Sequence, residues 1–177
     1  MNKDYNDFID LISRRYSCRR YSDRKVEREV IAQIVEAARI APSACNRQPW
    51  TFVALDTPES VRVAAECYGR DWAGQVPAYL VACGHHDVAW HRQSDNKDHT
   101  DVDVAIAVEH ICIAAAALGV GSCWICSFDA PRVARELGLP EGVEAVALVA
   151  LGYPADGVEV PAKNRKPIEE ILKWEKY

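Results

Sequence analysis

The sequence predicts an α+β fold in one domain spanning residues 1–177, and three observations carry that prediction. Helical and strand-like segments follow one another without strict alternation, and some of the connections between them are short. Neither G-x-G-x-x-G nor G-x-x-x-x-G-K-[ST] occurs, which argues against Rossmann and P-loop folds. A chain of 177 residues with 49% hydrophobic side chains suits a single buried core.

The first helix is predicted over Asp4–Arg14, with Tyr5, Phe8, Ile9 and Ile12 on one face at helical spacing. A basic, polar segment, Arg14 to Lys25, separates it from a second amphipathic helix over Glu27–Ile40, whose stripe is Val30, Ile31, Ile34, Val35 and Ala38. Pro42 ends that helix, and Trp50–Leu55 alternates like a strand. Thr57 and Pro58 supply a cap and a first helical residue for a helix that ends near Gly69. Ala78–Cys83 reads as a short buried strand. His85–Thr100 is polar, aromatic and poorly periodic, so residues 85–100 are expected to form a long loop or lid with a little helix. Asp101–Leu118 is apolar nearly all round, the mark of a central helix, and Gly119 stops it. Ser122–Cys126 is a further strand, Pro131–Leu137 a short helix, and Ala145–Leu151 a strand closed by Gly152-Tyr153-Pro154. The tail, 155–177, carries a basic patch at Lys163 to Lys166 and then an amphipathic end.

A net charge of −5 gives no general attraction to nucleic acid or to a membrane surface, so an anion site must come from a local cluster of Lys and Arg. The most apolar helical stretch, Val104 to Leu118, is interrupted by Glu109 and His110 and is shorter than the roughly 20 residues a membrane span needs. The polar N-terminus does not read as a signal peptide, and the seven cysteines are expected to be reduced thiols of a cytoplasmic protein. Cys123 and Cys126 form one C-x-x-C, compatible with a redox pair, with half of a zinc site, or with ordinary strand residues. His85, His86, His91 and His99 lie in the polar loop without zinc-like spacing. They fit metal ligands, a proton source, lid residues or plain surface; His110 fits a satisfied helix histidine.

Three polar segments contribute to no helix or strand pattern. Arg14-Arg15-Tyr16-Ser17-Cys18-Arg19-Arg20-Tyr21 combines guanidinium forks with a hydroxyl, a donor set suited to phosphate as well as to a solvated turn. Ala41-Pro42-Ser43-Ala44-Cys45-Asn46-Arg47-Gln48-Pro49-Trp50 fixes hydroxyl and amide groups between two prolines, which suits a rigid connector or the reading of a heteroaromatic ring. Lys163-Asn164-Arg165-Lys166-Pro167 is a late basic patch.

Taken together, with D-x-A-I-A at 103–107, the run from Ala115 to Ile125, G-Y-P at 152–154 and N-R-K-P at 164–167, these segments resemble the FMN-dependent nitroreductase family over nearly the whole chain. The resemblance implies a central, mostly antiparallel sheet of four to five strands flanked by helices, in a homodimer that exchanges its C-terminal tails. It implies that Arg15, Tyr16, Ser17 and Arg19 form an N-terminal flavin clamp, with Lys163 and Arg165 as later cations near the phosphate. It implies further that Arg19 reaches the pyrimidine edge of the ring, that Pro42, Ser43, Ala44 and Asn46 reach the flavin held mainly by the partner subunit, and that Trp124, Ile125 and Cys126 lie beside the ring, where a backbone N–H approaches N5. Two positions depart from the family pattern: Tyr16 stands where many members carry a basic residue, and Ala44 where a hydroxyl is frequent.

The activity so implied is a ping-pong oxidoreductase that takes electrons from NADH or NADPH and delivers them to small acceptors such as nitroaromatics or quinones. It needs no protein nucleophile and no metal. Enone reduction, reductive dehalogenation or flavin supply on the same fold, a non-catalytic flavin-binding module, and a thiol or zinc protein centred on Cys123 and Cys126 are the alternatives.

Overall fold

The structure, a computed structural model, describes residues 2–177. Helix α1 (Lys3–Arg14) is capped by the Asn2 side chain, which accepts from the Asp4 N–H at 2.9 Å. Helix α2 (Arg28–Arg39) follows the basic segment, and strand β1 (Trp50–Leu55) follows a loop containing one 3-10 turn at Ala44–Asn46. Helix α3 (Pro58–Tyr68) begins with a capping box between Thr57 and Ser60 and ends at Gly69, whose φ of 66° is the left-handed C-cap that glycine adopts without strain. Strand β2 (Ala78–His85), a small hairpin of β3 (His91–Arg92) and β4 (Lys97–Asp98), helix α4 (Thr100–Ala117), strand β5 (Gly121–Ile125), helix α5 (Ala130–Leu137) and strand β6 (Val143–Gly152) complete the body. The tail holds one helical turn, α6 (Ile168–Ile171).

The main sheet has four strands in the order β1-β2-β6-β5, with every neighbouring pair antiparallel. Its two faces bury different layers. On one face Leu80, Ala82, Val149 and Leu151 pack against α2 and α4 through Ile34, Val104, Val108 and Ile111. On the other, Tyr79, Val81, Leu148 and Ala150 pack against Ala64 and Cys67 of α3 and Val133 of α5. The period-two alternation of β2 and β6 assigns residues to these layers. It is interrupted once, where the register shifts so that Ala82 faces Ala147 and Cys83 faces Ala145, leaving Val146 as a bulge.

The predicted elements appear with ends displaced by a residue or two, except in 85–100. There the expected helix is absent, and a β-hairpin stands in its place. Asn96, at φ 55°, makes the tight turn, and its N–H donates to the Arg92 carbonyl at 2.8 Å. The amphipathic end of the tail reduces to the single turn α6, with Ile168, Ile171, Leu172 and Trp174 exposed. Helix α1 also buries no residue; Tyr5, Phe8 and Ile9 lie open. Among the described residues no helix is long and apolar enough to cross a membrane.

Two glycines set what can lie at opposite ends of α4. A Cβ on Gly121 would come within 2.9 Å of the Cβ and Sγ of Cys18, so its absence lets the segment after α1 lie directly on β5. A Cβ on Gly84 would meet Thr100 Cγ2 at 2.5 Å and Val146 Cγ2 at 2.9 Å, so its absence lets the first turn of α4 descend onto the end of the sheet.

Candidate functional site

At the C-terminal end of α4, the Cys18 N–H donates to the Ser122 carbonyl at 2.9 Å, and Ser17 makes a parallel bridge with Ser122. Tyr21 fixes the same segment, its hydroxyl donating to the Cys18 carbonyl at 2.6 Å. Arg15 thereby lines a cleft of about 130 Å³ with Arg14, Tyr16, Ala116, Gly119 and Ser122. Lys163 arrives from the tail and donates to the Ile12 carbonyl at 3.0 Å. Burial, then the charges of Arg15 and Arg165, pull the Lys163 ammonium below its ordinary pKa, with Glu109 acting the other way. Lys163 is therefore within electrostatic range of Arg15 and of Arg165, so cations from two distant segments approach the same cleft.

Ser17 and Arg19 continue this surface. Burial pushes the Cys123 thiol up, while the Arg19 charge, the Ser17 hydroxyl and the Arg15 charge pull it down, so all three face the start of β5. The Arg19 side chain itself is exposed and reaches the Ser17 carbonyl at 3.5 Å. Tyr16 donates to Cys18 Sγ at 3.7 Å, and burial raises its hydroxyl to about 12, so it remains a neutral donor.

Strand β5 is an edge strand. Because the Ser122 carbonyl faces outward to Cys18, the backbone groups of Trp124, two residues on, face the same free edge, whereas Ile125 pairs inward with Leu148. The Trp124 side chain packs beside α4 with its indole N–H buried and unpartnered. Cys123 points into the core and Cys126 is exposed just past the strand, so the C-x-x-C is not two thiols on one surface.

The loop of Pro42, Ser43, Ala44 and Asn46 lies elsewhere. The Ala44 N–H donates to Asp103 Oδ1 at 3.0 Å, one turn into α4, and the Ser43 hydroxyl accepts from the Gln48 N–H at 2.8 Å. Cys45, Asn46 and Gln48 all have φ near 50°, a left-handed conformation costing non-glycine residues roughly 1–2 kcal/mol each. From Asp103 to Ala116 in the Arg15 cleft the helix rises about 20 Å. The structure thus brings Arg15, Tyr16, Ser17, Arg19 and Lys163 together near the C-terminal end of α4, with the Trp124–Cys126 segment running back from there along and just past β5, and holds residues 42–46 at the other end.

Next to that loop, His86 bridges two carboxylates, Asp98 Oδ2 at 2.7 Å and Glu144 Oε2 at 2.9 Å, with His91 at 3.6 Å from Asp98. The Asp98 bond raises the His86 pKa; burial opposes it, and the bond to Glu144 adds to the rise. Burial acts to raise Asp98, but bonds from the Thr100 hydroxyl and N–H and from His86 outweigh it and hold the carboxyl well below the usual range. His99 stacks edge-on against Trp90 at 4.8 Å, His85 meets the Thr51 hydroxyl at 2.9 Å, and His110 bonds the Ile106 carbonyl within its own helix. Sequence reasoning did not single out the side chain of Asp103, one of three acids in this helix with Asp101 and Glu109, and the one that folding buries.

Known proteins resemble the chain in sequence and in fold. The profile of the Nitroreductase family matches residues 12–68 and 56–153. A protein of Archaeoglobus fulgidus named as an NADH dehydrogenase/NAD(P)H nitroreductase is 34% identical over 84% of this chain and 86% of its own length. An NADH dehydrogenase of Thermus thermophilus is 31% identical over 91% and 92%. The crystal structure of a nitroreductase family protein from Clostridium difficile superimposes with a TM-score of 0.89 at 33% identity, covering all of both chains.

Proposed function

The chain belongs to the nitroreductase family and is an oxidoreductase of the nitroreductase fold, and from that premise we propose that it holds FMN between two copies of itself and reduces small acceptors with electrons from NADH or NADPH. The observation that carries this reading is the docking of the tail through Lys163 onto the Ile12 carbonyl, which brings Lys163 and, two residues on, Arg165 toward the Arg15 cleft, a set of cations suited to a dianion such as a phosphomonoester.

The donor set fits that group. Arg15, Ser17, Lys163 and Arg165 would hold the phosphate. Arg19 would stand at the pyrimidine edge, where a cation favours the electron-rich state of the ring. The outward backbone of β5 at Trp124 would offer its N–H to the ring at a free sheet edge, with Ile125 packed behind and Cys126 following just past the strand. The chemistry FMN supplies when bound is two-electron transfer from NADH or NADPH to a nitroaromatic, quinone or similar acceptor, taken in alternation as a ping-pong cycle. The protein's own side chains bind, orient and shield.

The separation of the two half-sites supports a homodimer. Asp103, which holds the loop of Pro42, Ser43, Ala44 and Asn46, is about 20 Å along α4 from Ala116 in the Arg15 cleft of the same chain, a separation that fits a loop serving a cofactor held mainly by the other protomer. The open apolar face of α1, Val102 of α4 and the tail residues Ile168, Ile171 and Trp174 are exposed apolar side chains that a second copy would cover, the tails being exchanged. Seven free thiols, five of them buried, fit a cytoplasmic protein.

The test is direct. Purified protein should carry FMN at about one per chain and lose its yellow colour anaerobically on addition of NADH or NADPH, with the colour returning on addition of a quinone or nitroaromatic. A protein that cannot be loaded with FMN, or whose bound FMN neither nucleotide bleaches, overturns the reading.

A further inference from the structure

Helix α4 is apolar almost throughout, yet its fourth residue is an aspartate only 2% exposed. The first turn of a helix favours negative charge, which explains why an acid is tolerated there but not why it is turned inward. Asp103 Oδ1 reaches across 59 positions of sequence to the Ala44 N–H at 3.0 Å, while Oδ2 is fully enclosed and has no protein partner. Burying a carboxylate for a single bond is costly, and an apolar side chain would fill the same space more favourably.

What the bond secures is an unusual backbone. Immediately after Ala44, Cys45 (φ 51°), Asn46 (φ 53°) and Gln48 (φ 50°) all stand in the left-handed region. The remaining ties of the segment are local: Gln48 N–H to the Ser43 hydroxyl, Gln48 side chain to Asn46, and Asn46 N–H to the Ser43 carbonyl. Local bonds move with the loop. Asp103 is the side chain that ties it to the helix, and Gly84, by admitting the first turn of α4 onto the sheet, sets the height of that anchor.

We propose that Asp103 is a positioning residue, whose carboxylate holds residues 43–48 in the strained form that they present to the cofactor of the second protomer. The proposal rests on the reading of Pro42, Ser43, Ala44 and Asn46 as a flavin contact. Its first readout, however, is independent of flavin.

Two substitutions separate the acceptor from the volume it fills. Asp103→Asn keeps an oxygen for the Ala44 N–H; Asp103→Leu keeps the bulk and removes the acceptor. In flavin-free full-length protein, backbone amides of 44–48 should exchange at least tenfold faster in Asp103→Leu and within about twofold of wild type in Asp103→Asn, with exchange across β2 and β6 unchanged. Titration with FMN, followed by flavin fluorescence, should then give a dissociation constant about tenfold weaker for Asp103→Leu and near wild type for Asp103→Asn. Wild-type exchange over 44–48 in Asp103→Leu overturns the proposal, as does fast exchange without loss of FMN affinity. If Asp103→Leu does not fold, Asp103→Ala takes its place, and equal loss in Asp103→Asn assigns the residue to charge and also overturns the proposal. Failure of the wild type to bind FMN overturns instead the functional reading on which the proposal rests.

Discussion

The two ends of α4 solve different recognition problems by different means. On the proposed reading, Arg15, Lys163 and Arg165 at the C-terminal end supply charge for an anion from ordinary backbone, with Lys163 tied to the Ile12 carbonyl. At the N-terminal end, Ser43, Ala44 and Asn46 contribute no charge, and the loop's shape is maintained against left-handed strain by one buried carboxylate. Charge can be assembled from flexible side chains of distant origin. Shape for a planar ring has to be held from beneath, by a group that cannot move. The difference teaches that damage at the two ends should have different signatures.

The largest effect belongs to the cations. Arg15→Ala or Arg165→Ala should weaken FMN binding roughly tenfold to a hundredfold, since a charge-assisted bond contributes about 1.5–3 kcal/mol, while chromatography still shows a dimer. Riboflavin, which lacks the phosphate, should bind both variants as it binds wild type. Riboflavin affinity falling in step with FMN affinity would erase the distinction between the two ends.

The glycines sharpen it. Gly121→Ala forces a Cβ into Cys18 and displaces the clamp, so FMN should weaken more than riboflavin. Gly84→Ala pushes on Thr100 and Val146 at the loop end, so both ligands should weaken alike. Each change should also cost about 1–3 kcal/mol of stability by overpacking, read as a fall in Tm.

The smallest effect concerns pH at the hairpin. His86 has a raised pKa, so its contribution is complete below its ordinary value of 6.5 and fades as pH rises through the raised one. Asp98 has a lowered pKa, so its contribution is complete above 3.8 and fades as pH falls through the lowered one. Amide protection of residues 88–98 should therefore be greatest between about pH 4 and 6.5, and His86→Gln should remove the alkaline decline. Wild-type protection that stays flat to pH 9 would detach the hairpin from His86.

Much of this was legible in the sequence. The nearly all-round apolar character of Asp101–Leu118, the Thr57-Pro58 start and the Gly119 stop located elements through local chemistry alone. The basic segments at 15–19 and 163–165 were visible as clusters, and only folding brings them together. The 85–100 hairpin was not legible. Its two-residue strands are too short to show a period, and its turn rests on Asn96 entering the left-handed region. The role of Asp103 was not legible either, because a bond between residues 59 positions apart leaves no pattern in the chain.

The account's central claim is that one cofactor site is built from the cations of one protomer and the loop of the other. Two variants test it: Arg165→Ala, with a damaged clamp, and Ala44→Trp, with a blocked loop, each expected on its own to bind FMN roughly tenfold or more weakly. Heterodimers of the two, purified through different tags and titrated with FMN, combine both lesions in one site and leave the other intact. The predicted result is one FMN bound per heterodimer with wild-type affinity. A heterodimer that binds none would place clamp and loop in the same chain's site and contradict the account.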